Sequence, residues 1–435
     1  MLITQKINTP EYRALLTPHL LKLAELFRAN QYEIRVAGGA VRDILMGILP
    51  HDIDFATTAT PEQMKDMFTQ ANIRMINCNG EEHGTITARI DDRENFEITT
   101  LRIDKTTDGR HAEVEYTQDW QLDANRRDLT INSLFLDFNG TVYDYFNGIE
   151  DLQHRRICFV GDAVQRIRED YLRILRYFRF FGRFAPDNAI HDEQTLKAIR
   201  DNVEGLKDIA GERLWIELKR ITEGRNSGSV LKVMLEQNIG PYLGIPSDAD
   251  ANQLEDHWQQ SYQAKPHEMT ILTKLFRNTH ELGKFEQRLK YSNDCRRLSQ
   301  LLITYRDSIS LLDSSSTDRL KPYKDLVIDL IINDPMAKER IVELLKYQHH
   351  LSEAQQLSDW TIPRFPVTGN MLTSKGIKQG PNFKLILNAL RDNWKQSHFQ
   401  ATENQLIDEV LPHVLETLAH TNPNDTIPKK RKEKE

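Results

Sequence analysis

Val36 to Thr57, VAGGAVRDILMGILPHDIDFAT, reads as a short strand that breaks at a glycine pair, then a helix, then a second strand opening with two aspartates. Gly38-Gly39 lets the backbone turn tightly and approach a ligand. Free N–H groups at the start of the following helix suit phosphate. Arg42, one turn into that helix, can add charge-assisted hydrogen bonds to a triphosphate. Asp52 and Asp54 are two apart on the second strand and so share a face. Adjacent carboxylates repel unless a cation lies between them, and hard oxygen ligands suit Mg²⁺ bound together with substrate phosphates. Two such ions about 4 Å apart can activate a hydroxyl and stabilise a leaving pyrophosphate. Glu97, in the strand-like NFEITTLR, offers a third carboxylate. A Gly-Gly pair alone is a turn, and Asp-x-Asp alone is a strand end or cap; the combination strand–GG–helix–strand–DxD is the specific signal.

Around this stretch the pattern is mixed. Thr17-Pro18 opens a helix that runs to about Asn30 on the stripe Leu20, Leu23 and Phe27. Strands are expected at Ile34–Ala37, Ile53–Ala56, Thr85–Ile90, Phe96–Thr100 and Ile131–Phe138, and helices at Val41–Met46 and Pro61–Thr69. Residues 104–120, DKTTDGRHAEVEYTQDW, are polar without a clear period and read as a long loop. Beyond Ile157 the chain turns helical, with Arg166–Phe181 and Glu212–Ile221 as the strongest candidates. From 230 to 420 helical patterns alternate with turns such as Ser314–Ser316 and Pro363–Thr368. The expected architecture is an elongated multidomain protein with an α/β head, built on a mixed sheet, followed by all-α neck, body and tail. Its expected divisions are an N-terminal helix at 1–30, a head at 31–150, a neck at 151–225, a body and tail at 226–420 and a disordered basic end at 421–435.

Composition restricts the partners. A chain of 435 residues is too long for one core, and 39% hydrophobic with 28% charged residues suits a soluble globular protein. No apolar run is long enough to span a bilayer, so no membrane partner is expected. The N-terminus shows neither a signal-peptide core nor an Arg-rich transit pattern. Cys78, Cys158 and Cys295 have no paired spacing, which argues against disulfides and a cysteine zinc site. The net charge of −7 does not announce an RNA partner, but the basic groups cluster. Residues 166–183, RIREDYLRILRYFRFFGR, carry six arginines against two acids, and PKKRKEKE closes the chain.

The stretch GGAVRDILMGILPHDIDFAT resembles motif A of the class II tRNA nucleotidyltransferase and bacterial poly(A) polymerase family, a branch of the polymerase-beta-like nucleotidyltransferases. Four further stretches carry the resemblance to about residue 220: RRDLTINSLFL (126–136), DYFNGIEDLQHRRICFVG (144–161), EDYLRILRYFR (169–179) and AGERLWIEL (210–218). Cys158 departs from the family pattern, which usually has arginine there. The resemblance implies that Asp52 and Asp54 hold catalytic Mg²⁺, that Gly39 and Arg42 contact the nucleotide, and that Arg127 and Asp128 contact ribose and phosphate. It implies contacts to the nucleotide from Arg176 and Arg179, and base selection by Asp170 and Arg173. Cytosine and adenine each present an amine donor beside a ring-nitrogen acceptor, whereas guanine and uracil present the reverse. A carboxylate only accepts and a guanidinium only donates, so Asp170 beside Arg173 matches C and A and opposes G and U. On an arbitrary helix, residues three apart like these would form only a surface ion pair.

The activity so implied is addition of CCA to the 3′ end of tRNA from CTP and ATP without a nucleic-acid template. GEEHGTITA (80–88) resembles the tRNA enzymes' HGT-type segment, and the basic stretch usual in poly(A) enzymes is missing. Poly(A) synthesis, partial CC or A addition and non-catalytic RNA binding are the alternatives; intact Asp52 and Asp54 oppose the last. His191-Asp192 is read as a helix start rather than a metal-hydrolase signature. Pro428–Lys432, PKKRK, reads either as a nuclear-localisation signal or as a solubilising charge run. Cytoplasm and nucleus are the expected compartments, with the mitochondrion added if an upstream start supplies a targeting segment. Oligomeric state is left open.

Overall fold

The computed structural model describes residues 2–76, 84–107 and 112–421. The HGT-type segment, Cys78, the tip of the 104–120 segment and the PKKRK end lie mostly or wholly outside them. The chain divides into two compact units, 1–303 and 304–435.

The first unit opens with β1 (Ile3–Lys6), α1 (Pro10–Leu15), α2 (Pro18–Ala29), β2 (Ile34–Ala37), α3 (Gly39–Leu45), β3 (Asp54–Thr57) and α4 (Pro61–Gln70). Then come β4 (Arg74–Ile76), β5 (Thr85–Ile90), β6 (Glu94–Thr100), β7 (Arg102–Thr107), β8 (Ala112–Tyr116), α5 (Trp120–Asn125), β9 (Phe135–Leu136) and β10 (Thr141–Asp144). Eight strands form one sheet in the order β1-β10-β9-β2-β3-β6-β5-β4, and β7 pairs with β8 separately. The large sheet is mixed: β3 and β6 run parallel and the other neighbours antiparallel. Alternation along β5 buries Ile86, Ala88 and Ile90 against Phe68 and Phe96. Phe27 and Phe68 meet edge-on at 6.0 Å, which packs α2 against α4 under the sheet. Each such ring, fully buried, contributes about 1.5–3 kcal/mol. This mixed-sheet head is followed by a mostly helical chain, as expected.

Four local expectations are corrected. Segment 1–30 is not a single helix: β1 joins the sheet edge through β10 and two helices follow, each capped by a threonine before proline. Segment 104–120 is not a loop, since β7 and β8 form an antiparallel ladder; the alternation Ala112, Val114, Tyr116 along β8 is short and sits in a polar surround. Ile131–Phe138 keeps only β9 as strand. Thr130–Asn132 is a 3₁₀ turn, held by Thr130 Oγ1 donating to Asp151 at 2.7 Å and Ser133 Oγ donating to Thr130 O at 2.8 Å. The expected helix 166–181 is two helices that meet at Asp170, after the short α6 (Gly148–Gln153): α7 (Ala163–Glu169) and α8 (Leu172–Phe184).

The break at 170 needs neither glycine nor proline. Asp170 is extended, at φ −153° and ψ 106°, and its Oδ1 accepts the Leu172 N–H at 3.0 Å. A short polar side chain that bonds nearby backbone competes with helix and then caps the next one. Helices α9 (Glu193–Asn202) and α10 (Gly211–Thr222) pack on this corner. Gly205 makes room for it, because a Cβ there would stand 2.2 Å from the Tyr171 ring. Asp192 caps α9 by accepting the Thr195 N–H at 2.7 Å, and His191 stacks on Phe181 at 3.6 Å, so the His-Asp pair is a helix start.

The second unit is helical in its described part, with helices at Lys321–Leu330, Ala337–Tyr347, Leu351–Asp359, Gly369–Ser374, Pro381–Gln396 and Leu411–Thr421. Its core gathers Leu372, Ile386, Leu390, Trp394 and Leu406. Among the described residues, no helix is long and apolar enough to cross a membrane. Cys158 and Cys295 are free thiols.

Candidate active site

A cleft of about 620 Å³ lies between the sheet of the head and the face of α8. Asp52 sits in the bend before β3, and Asp54 is the first residue of that strand. Parallel pairing puts Glu97 of β6 in register with Asp54. Burial by the surrounding walls pushes the Asp54 carboxyl up; Arg127 opposes this and Asp52 adds to it. The Glu97 carboxyl is raised by burial and then by Asp54 and Asp52. Burial is thus the main cause of both shifts, and repulsion among the three carboxylates adds to it. Such a set suits a divalent cation, which removes the repulsion.

The glycine pair makes the tight turn expected of it. Gly38 has φ +67°, and a Cβ there would lie 2.8 Å from Arg127 Nη1. A side chain at 38 would be strained and would displace that guanidinium. Arg127 donates to Asp123 Oδ2 at 3.1 Å and to Asn132 O at 3.3 Å. Asp123 is buried, which by itself would raise its carboxyl; Arg126 and Arg127 hold it below the usual range. Arg42 is also buried; it donates to Asp43 at 2.8 and 2.9 Å and to Asn132 Oδ1 at 2.6 Å. Its guanidinium passes under Gly39, 3.5 Å from where a Cβ would be.

The opposite wall is arginine on helix. Arg173, Arg176 and Arg179 recur every three residues along α8. Arg176 Nε donates to Asp128 Oδ2 at 2.6 Å, and Arg179 Nη1 donates to both Glu217 oxygens at 3.3 Å. Burial opposes ionisation of Asp128, but Arg176 and two further donors keep its carboxyl below the usual range. Phe180 forms the floor, with the guanidinium carbons of Arg42, Arg176 and Arg179 5.2, 5.5 and 5.0 Å from its ring centre. Eight arginines and five aspartates line the cleft, so it presents positive charge although the chain as a whole is at −7.

Every residue singled out from the sequence lines this cleft except Glu97, which stands at its edge beside Asp54. Asp170 and Arg173 are both in it, though not as neighbours on one helix: Asp170 precedes α8 and Arg173 lies in its first turn. Sequence reasoning missed Asn132, Asp123, Phe180 and Glu217. Glu217 had left a signal: it falls on the apolar stripe Leu214, Leu218 and Ile221 of α10, where an acid must have a partner.

Residues 34–158 match the family described as "Poly A polymerase head domain", and residues 191–244 match "Probable RNA and SrmB- binding site of polymerase A". The chain is 49% identical to CCA tRNA nucleotidyltransferase 1, mitochondrial, of Danio rerio, over 93% of each chain. It is 48% identical to the Homo sapiens protein of the same name, over 94% of this chain and 93% of the relative. It belongs to the CCA tRNA nucleotidyltransferase family. The CCA tRNA nucleotidyltransferase fold extends to distant structures. The Bacillus stearothermophilus CCA-adding enzyme in complex with CTP superposes with a TM-score of 0.67 at 22% identity, covering 96% of this chain and all of that one. The Thermotoga maritima CCA-adding enzyme complexed with tRNA superposes with 0.68 at 18% identity, covering 96% and 99%. Nucleotidyltransferases of this superfamily use a divalent metal.

Proposed function

We propose that this chain adds C, C and A to the 3′ end of tRNA, taking CTP and ATP as substrates and using no nucleic-acid template. The observation that carries this reading is the cleft itself, with repelling carboxylates on the sheet wall and arginines on the helix wall. Asp52 and Asp54 would hold Mg²⁺, with Glu97 as the third carboxylate of the set. Bound there, the ion supplies activation of the tRNA 3′-hydroxyl and neutralises charge on the leaving pyrophosphate. Gly38-Gly39 lets the backbone approach the nucleotide. Arg42 and Arg127, both buried in part and fixed by Asn132, bind phosphate oxygens without having to reorganise. Asp128 and Glu217 hold Arg176 and Arg179 at the nucleotide. Asp170 accepts from the amine of C or A and Arg173 donates to the ring acceptor, while G and U leave like groups facing each other. Each mismatch of this kind costs about 1–3 kcal/mol, so two give roughly 10²- to 10⁴-fold rejection.

The relatives at 47–49% identity are named mitochondrial, which supports a mitochondrial location for this chain. The basic end at 428–432 supports a nuclear share as well. The test of function is incubation of tRNA lacking its CCA end with Mg²⁺ and all four labelled nucleotides. Addition that stops after CCA is the expected result. A long A tail, or no addition, would contradict it.

A further inference from the structure

We propose that Arg213 is a positioning residue for base selection, which holds the Asp170 carboxylate away from Arg173 so that both can face a base. This rests on the reading of Asp170 and Arg173 as the base-selecting pair. An acceptor and a donor of opposite charge, placed side by side in an arginine-rich cleft, neutralise each other if they meet, and neither then reads anything.

In the structure they do not meet. No ion pair joins Asp170 to Arg173 among the described residues; each is tied to a different partner. Asp170 Oδ1 accepts the Leu172 N–H at 3.0 Å, and Oδ2 accepts Arg213 Nη2 at 3.1 Å, from α10. These donors fix the carboxylate from two sides, and each oxygen retains a lone pair for a ligand. Arg173 is held from its own side. Its Nη1 donates to Glu169 Oε2 at 2.7 Å and to Arg166 O at 3.0 Å, and its Nη2 donates to Arg126 O at 2.7 Å. That uses three of five N–H groups and leaves Nε–H and one Nη2–H for a base. Glu169 and Arg213 thus act as a pair of outside anchors. Glu169 is further fixed by Arg166 at 2.5 Å. Tyr171, between Asp170 and the body of α8, packs closely over Gly205.

Without Arg213, only the Leu172 N–H restrains Asp170. Arg173 is next to it in the cleft, and Arg176 already acts on it electrostatically. The carboxylate would swing to one of these and close the reader.

The experiment uses the full chain with tRNA acceptors ending before the CCA and before the final A. It measures kcat/KM for CTP, ATP, UTP and GTP in wild type, R213Q, R213K, D170A and the double variant D170A/R213Q. In R213Q, use of CTP and ATP should fall about tenfold, mainly through KM, while UTP and GTP change little, so discrimination narrows. R213K should recover part of it, which separates a placed charge from a folding defect. In the D170A background, R213Q should not change discrimination further, because Arg213 acts only through Asp170. An equal fall for all four nucleotides in R213Q, or an effect that adds to that of D170A, would overturn the proposal while leaving base selection by Asp170 standing. Unchanged discrimination in D170A would overturn the base-selection reading itself.

Discussion

The two walls of the cleft are built on opposite principles. On the sheet wall Asp54 and Glu97 are placed by strand register, with like charges left to repel. On the helix wall Arg173, Arg176 and Arg179 of α8 are each tied to an acid brought by another element, to Glu169, Asp128 and Glu217 in turn. On the proposed reading, a cation would offset the repulsion on the first wall, whereas the ion pairs of the second are already formed and would meet a nucleotide with donors in place. Loss of the first wall would then stop the chemistry, and loss of the second would degrade binding and choice.

The largest effect should therefore come from the sheet wall. Asp52→Ala or Asp54→Ala should lower nucleotide addition by at least about 10³-fold while tRNA binding, measured by filter retention, stays within a few-fold. Appreciable Mg²⁺-dependent addition by either variant would remove the distinction between the walls.

The helix wall is tested more gently through its anchors. Glu217→Gln keeps the shape but withdraws the charge that orders Arg176 and Arg179. The kcat/KM for CTP and ATP should fall roughly tenfold to a hundredfold, carried by KM, as expected for loss of charge-assisted hydrogen bonds of about 1.5–3 kcal/mol. A fall in kcat alone would place Glu217 in the chemical step and contradict the comparison.

The smallest effect concerns the underside of α8. Burial pushes His191 down from its ordinary 6.5 to about 4, where its ring stacks on Phe181 and bonds to the Tyr177 hydroxyl at 2.9 Å. The folded state thus resists protonation that the unfolded chain accepts near pH 6.5. The contribution is fully present above that pH and is lost as pH falls toward 4. Over the roughly two pH units between the ordinary value and pH 4.5 it amounts to about 2–3 kcal/mol. Urea unfolding at pH 7.5 and 4.5 should show a smaller pH dependence in His191→Phe than in wild type. Equal dependence in the two would mean that the neutral ring does not support the helix.

Legibility in the sequence followed the same division. Strands β2 and β5 were bounded correctly, β5 because one-sided burial leaves an apolar alternation; of the two aspartates read as sharing a strand face, only Asp54 is in β3, and Asp52 sits in the bend before it. The helix wall was read only in part. Its arginines were visible as a cluster, but their partners come from residues 48 positions away at Asp128 and 38 away at Glu217, and nothing local announces such pairs. The break at Asp170 was invisible for a related reason: flanking apolar periodicity continues through it, and a single side-chain cap decides the matter. The β7–β8 hairpin escaped because its one apolar alternation, Ala112, Val114 and Tyr116, is short, and the turn at Thr130 because its bond to Asp151 is tertiary.

The central claim is that a carboxylate and a guanidinium on one corner of the protein replace a nucleic-acid template. Its most direct test is kcat/KM for all four nucleotides with one tRNA acceptor, wild type beside Asp170→Ala. CTP and ATP should fall roughly tenfold to a hundredfold while UTP and GTP fall less or rise, because the lost carboxylate had welcomed the first pair and opposed the second. An equal drop for all four would mean that Asp170 merely positions the helix or the triphosphate, and would contradict the account.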